Sequence, residues 1–172
     1  MEIRKANQTD SRTIYEQSWK YAYKGIIPQE YLDNIPSGQW CGVIDNPDRH
    51  TLIMLDEDKI IGTSGYGKSR FADYKDWGEI FSIYLLPEYM GKGYGKSLLE
   101  KAVEELKAMG FKTIFLWVLE ENHRARHFYE TCGFNYSGNA KKDTIGGKQL
   151  FELQYVLSLI HISEPTRLLS IS

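Results

Sequence analysis

Apolar and polar positions along the chain mark out alternating strands and helices. Ile3-Arg4-Lys5 is a short strand candidate. Thr9 and Asp10 are residue types that cap a helix, here one running through Gln17 or Trp19. Pro28 suits the opening of a second helix through Tyr31 and Leu32. Between these lies an aromatic run, Trp19 to Gly25, suited in part to a core and in part to a substrate mouth. A hairpin follows: Thr51 to Leu55, a turn at Asp56-Glu57-Asp58, and a return over Lys59 to Gly67. Ser69 to Asp76 reads as a polar loop, and Glu79 to Leu86 as a strong strand stopped by Pro87. From Lys96, apolar residues fall at Leu98, Leu99, Ala102, Val103 and Leu106, the spacing of a helix with one buried stripe, and Gly110 ends it. Thr113 to Leu119 is a continuous apolar run, as in a central buried strand. Asn122 or a neighbour caps a short helix to Cys132, closed by Gly133, and Phe151 to Leu157 forms a last strand.

Composition narrows the class. The 172 residues are 42% hydrophobic and 26% charged, typical of one soluble domain with a sizeable core. The formal charge of −2 gives no basic excess, so nucleic acid is not expected as a partner. No apolar stretch follows the basic residues near Met1, and no run is long enough to span a bilayer, so the expectation is a cytoplasmic protein with no membrane partner. Cys41 and Cys132 lie far apart and read as reduced thiols. The domain is expected over residues 1–157. Residues 158–172 change character, match no element, and resemble translated cloning or sequencing read-through.

The densest chemical signal is Pro87-Glu88-Tyr89-Met90-Gly91-Lys92-Gly93-Tyr94-Gly95-Lys96-Ser97, between a strand and a helix. Glycines allow tight turning that gathers N–H groups, and a helix N-terminus adds partial positive charge; together they suit a phosphate or pyrophosphate. Gly95-Lys96-Ser97 imitates the end of a nucleotide-triphosphate loop, but that motif needs a glycine at position 90, where Met90 stands. A dinucleotide fingerprint needs G-x-G-x-x-G, whereas Gly91, Gly93 and Gly95 are spaced G-x-G-x-G.

The segment Met90 to Gly95 resembles the pyrophosphate loop of the GCN5-related N-acetyltransferase (GNAT) family, Gln/Arg-x-x-Gly-x-Gly/Ala, with Met90 in place of the leading polar residue. Asn122 to Phe134 is similar to that family's Asn-x-x-Ala-x-x-Phe-Tyr-x-x-x-Gly-Phe. The resemblance covers roughly residues 1 to 157 and is weakest before Thr51. It implies an α/β (α+β) fold: a mixed, mostly antiparallel sheet flanked by helices and split at its central strands to admit acetyl-CoA. It implies direct transfer of an acetyl group from acetyl-CoA to a primary amine on a small molecule or peptide, with no metal.

By the same resemblance, Gly91, Lys92, Gly93, Tyr94, Gly95 and Lys96 hold the CoA pyrophosphate. The backbone edge of Ile83, Tyr84 and Leu85 pairs with the pantetheine arm, and Asn122 bonds that arm unless it serves only as a helix cap. Tyr129 aligns with the general acid. Glu79 stands where some members carry the general base; others carry it at the position of Trp117. His123 and His127 share a helical face but lack a third ligand motif, and read as surface residues. Two rival readings are a catalytically degenerate acyl-CoA sensor and a phosphate-loop NTPase. The amine acceptor is not legible, and a homodimer is compatible with the sequence.

Overall fold

The computed structural model describes residues 1–7, 10 and 48–159. The helices expected between Thr9 and Leu32, the aromatic run at Trp19, Cys41 and the tail beyond Leu159 lie outside the described residues.

Seven strands form one sheet: β1 (Glu2–Lys5), β2 (Arg49–Asp56), β3 (Lys59–Lys68), β4 (Gly78–Leu85), β5 (Thr113–Leu119), β6 (Asn135–Ile145) and β7 (Lys148–Ser158). Their order is β1-β2-β3-β4-β5-β7-β6, antiparallel at every junction except β4–β5. The mostly antiparallel mixed sheet implied by the resemblance is therefore present. The expected hairpin is β2–β3, closed at Asp56↔Lys59. Glu57 takes a left-handed φ of 55° in its turn.

β2 lacks polar alternation because both its faces are covered. Leu52 and Met54 enter the main core, while Ile53 and Leu55 pack with Ala6 and Ile60 on the opposite face. β6 was not anticipated. It is an edge strand of mostly exposed polar residues, so it carries no hydrophobic period to read. The last strand runs past the expected Leu157 to Ser158, and Leu159 is buried beyond it with its N–H bonded to Lys112 O.

Among the described residues, two helices cover one face. α1 (Tyr94–Ala108) buries Leu98, Leu99, Ala102 and Leu106 against β3 and β4. Each of those leucines contributes about 1.5–3 kcal/mol by burial. The helix ends where Gly110 adopts φ 101° and the Phe111 N–H bonds back to Leu106 O. α2 (His123–Thr131) starts at Asn122, whose side-chain oxygen accepts from the Ala125 N–H. It stops at Gly133, φ 96°, with the Phe134 N–H on Tyr129 O.

The central strands part company. β4 and β5 pair only at Gly78↔Ile114 and Glu79↔Phe115, while β4 stays bonded to β3 as far as Leu85 and β5 to β7 as far as Leu119. The β3–β4 register shifts beside Phe81: Tyr66 pairs with Ile80 and Gly65 with Ser82. Such a bulge bends the strand that carries it, here at the point where β4 leaves β5.

Candidate active site

The split opens on the helical side into a cleft of about 620 Å³. Ile83, Tyr84 and Leu85 form one wall from β4, Gly91, Gly93, Gly95 and Lys96 form its end, and Asn122 and Tyr129 stand on the α2 side. Eight of the ten residues expected to bind CoA thus converge on one cavity with the expected acid. Lys92 and Tyr94 do not line it; Tyr94 turns toward Tyr89, ring centroids 6.1 Å apart.

The loop at the cleft's end gathers backbone N–H groups at a helix N-terminus, an arrangement that suits an anion. Gly91 and Gly93 hold φ values of 77° and 87°, which only glycine adopts without strain, and no atom lies within 4 Å of a Cβ placed at either. The first turn of α1 is closed by the Ser97 N–H donating to Gly93 O. The N–H groups of Tyr94, Gly95 and Lys96 therefore project from the helix end. The loop's approach is anchored: Tyr89 Oη donates to Asp56 Oδ2 at 2.8 Å, and Lys59 pairs with Glu88 at 3.5 Å.

Tyr129 is 7% exposed and lies among Phe128, Phe134 and Tyr155, with ring centroids 5.4, 6.1 and 6.5 Å away. Tyr155 beneath it donates to Glu130 at 2.8 Å and accepts from Arg126 at 3.2 Å, which fixes the floor of the site. Asn122 is the α2 cap, its side-chain oxygen accepting from the Ala125 N–H, and it also lines the cleft. Arg124, Ala125, Phe128 and Cys132 also line the cavity; in the sequence Arg124 reads as a residue able to meet a CoA phosphate, Ala125 and Phe128 stand only as motif positions, and Cys132 carries no site signal. Burial pushes the Cys132 thiol above its ordinary pKa, making it less reactive. His123 and His127 are exposed, and no metal-holding group of three or more His, Cys, Asp or Glu occurs among the described residues.

Glu79 lies apart from the cleft lining, on the opposite face at the apex of the split. It is fully buried, and Arg70 claims both its oxygens: Nη2 at 2.6 Å from Oε2, Nε at 3.2 Å and the backbone N–H at 3.1 Å from Oε1. The Arg70 guanidinium stands 5.0 Å from the Phe81 ring centroid. Sequence reasoning took Ser69–Asp76 as a plain polar loop; it carries this arginine and a short 3-10 turn, Ala72–Tyr74.

The same face carries Trp117 and, in register beside it on β7, Gln154. Lys141 Nζ lies 4.9 Å from the Trp117 ring centroid and 3.9 Å from Glu152 Oε2. The Glu152 carboxyl is pushed up to about 7, by burial first and then by its hydrogen bond with Asp143, whose own pKa is lowered by that bond. Nothing in the sequence distinguished Glu152.

The sequence model of the Acetyltransferase (GNAT) family matches residues 11–134. The spermidine N(1)-acetyltransferase of Thermoplasma acidophilum is 27% identical over 164 residues, 90% of this chain and 98% of that one. The uncharacterized N-acetyltransferase YuaI of Bacillus subtilis is 30% identical over 115 residues, 66% of each chain. Among solved structures, PaiA N-acetyltransferase from Thermoplasma acidophilum in complex with coenzyme A superposes with a TM-score of 0.70 at 27% identity, covering 89% of this chain and 96% of that one.

Proposed function

Because the chain belongs to the GNAT acetyltransferase family, we propose that it transfers an acetyl group from acetyl-CoA directly to a primary amine. The observation that carries this reading is the convergence of the open β4 edge, the glycine loop at the α1 N-terminus and Tyr129 on one cleft. Acetyl-CoA supplies an activated thioester carbonyl; the protein's residues bind it, orient it and move protons.

The N–H groups of the loop and helix end face a doubly charged pyrophosphate with their partial positive charge. Most of that cradle is backbone, so Met90 in place of a polar residue leaves it intact. The Ile83–Leu85 edge offers main-chain donors and acceptors to an extended amide-bearing arm, as a neighbouring strand would. One of those N–H groups suits the negative charge that develops on the thioester oxygen. Tyr129 donates the proton that the departing thiolate takes up, and the phenol recovers it from solvent. In balance, an N–C bond forms, the C–S bond breaks, the amine loses a proton and the sulfur gains one.

Glu79 is assigned as proton acceptor on its position, at the last register pair before the split. A second assignment is favoured by a specific observation: Arg70 occupies both Glu79 oxygens, whereas Glu152 on the same face titrates at about 7, where a general base works best. Rate profiles against pH for Glu79→Gln and Glu152→Gln separate the two, since only loss of the true base removes the acidic limb. The function itself is tested by calorimetric titration with acetyl-CoA, followed by free-CoA release in the presence of amines. Acetyl-CoA binding with amine-dependent release supports it; binding of ATP with magnesium in its place overturns it.

A further inference from the structure

The glycine loop at the end of the cleft runs through solvent. Gly91, Lys92 and Gly93 are exposed, and among the described residues no atom stands within 4 Å of a Cβ placed on Gly91 or Gly93. Glycine backbone also loses more conformational freedom on ordering than any other. A site made of N–H groups binds tightly when those groups already point at one place, because the cost of ordering them has been met by the fold. In this loop their direction is set from its two ends.

One side chain reaches both ends. Tyr89 ends the short 3-10 turn Pro87–Tyr89, whose start is tied to β3 by the Leu86 N–H donating to Ile61 O at 2.8 Å. The Tyr89 ring stands 6.1 Å, centroid to centroid, from that of Tyr94, the first residue of α1. The two rings bracket the loop, Met90 to Gly93. The Tyr89 hydroxyl donates to Asp56 Oδ2 at 2.8 Å, at the end of β2 and 33 residues away in sequence. A hydrogen bond to a carboxylate is charge-assisted, about twice as strong as a neutral one. It also raises the pKa of the Tyr89 phenol, which keeps its proton to donate. The neighbouring Lys59–Glu88 pair is weaker: its atoms are 3.5 Å apart and each side chain is 58% exposed, so solvent screens it.

We propose that Asp56 is a positioning residue for coenzyme A: through Tyr89 it holds the two ends of the glycine loop at the spacing that gathers the Tyr94, Gly95 and Lys96 N–H groups onto the pyrophosphate. Neither Asp56 nor Tyr89 lines the cleft, so their effect on affinity runs through the loop. The inference rests on the acetyltransferase reading, in which that loop holds the pyrophosphate. It gives the β2–β3 turn, remote from the cleft, a part in binding.

The test is calorimetric titration of the full chain and its variants with coenzyme A. Asp56→Ala removes the acceptor, and Tyr89→Phe removes the donor while keeping the ring beside Tyr94. Each is expected to raise Kd about five- to tenfold. Both cut the same bond, so the double variant is expected to match either single one rather than multiply the two losses. Asp56→Asn still offers an oxygen to the phenol and is expected to stay within about threefold of the parent. Ile53→Val serves as the control for stability alone. It trims a buried methyl group in the same strand, in the small cluster with Leu55, and is expected to bind as the parent does. Parent-like affinity in both Asp56→Ala and Tyr89→Phe overturns the inference. So does a double variant whose loss is the product of the two, or a loss in Ile53→Val equal to theirs. Failure of the parent chain to bind coenzyme A overturns the acetyltransferase reading itself, so the two failures are distinct.

Discussion

Arg70 Nη2 lies 2.6 Å from Oε2 of Glu79, a carboxylate with no exposure to solvent. Removing the arginine strands a buried charge, whereas removing both charges does not. Arg70→Met is expected to lower stability by about 3 kcal/mol in urea unfolding, and the Arg70→Met/Glu79→Gln double variant by clearly less. Equal losses in the two would show that the pair is not coupled.

Gly93 has open space around it and a φ of 87°. An added side chain therefore meets no neighbour; it strains the backbone and alters the charge at the helix end. Gly93→Asp is expected to weaken coenzyme A binding about tenfold or more in calorimetry. Gly93→Ala should lose mainly stability, about 1–2 kcal/mol.

Tyr129→Phe preserves the ring that packs on Phe128, Phe134 and Tyr155 and deletes only the hydroxyl. Turnover should fall about 100-fold, with coenzyme A affinity close to that of the parent. Undiminished turnover would remove Tyr129 from proton transfer.

Glu152 titrates at about 7 in the folded chain, above the ordinary 4.5. Between those values the folded state holds more protons than the unfolded one. Its contribution therefore favours folding at low pH and is lost as pH rises toward 7. The loss is on the order of 2 kcal/mol after discounting for solvent screening, and the lowered pKa of Asp143 acts in the opposite direction. Glu152→Gln should flatten the fall in urea midpoint over that interval; an unchanged slope would assign the fall to other groups.

Glu57 holds a left-handed φ of 55° in the β2–β3 turn. Glycine adopts that conformation freely, at some entropic cost in the unfolded chain. Glu57→Gly is expected to raise stability by about 0.5–1 kcal/mol in thermal unfolding.

The elements visible in the sequence were those with a hydrophobic period or a glycine stop. The buried stripe Leu98, Leu99, Ala102 and Leu106 announced α1, and Gly110 and Gly133 marked helix ends with positive φ. The glycine loop was legible as the proposed anion site because its chemistry is local to one segment. The other face was hidden for the converse reason. Glu79 reads as one polar residue beside an apolar strand, and nothing local ties it to Arg70, nine residues earlier on a loop. The Glu152–Asp143 pair exists only once β6 and β7 are laid side by side. The split itself came from resemblance; the register shift at Phe81 leaves no mark in the run Glu79 to Leu86.

The parting of β4 from β5 also bears on how the chain assembles. Since β4 and β5 share two register pairs, residues 49–85 form a meander and residues 113–158 a second unit, in which the β6–β7 hairpin joins β5 through β7; the strands of each pair within their own segment. The β2–β3 and β6–β7 hairpins close over short turns, the condition under which pairing is fast. The opening thus falls on the seam between two units that nucleate from neighbouring sequence, with α1 as the crossover that joins them. Neither unit has to break a bond of its own for the chain to keep that seam open.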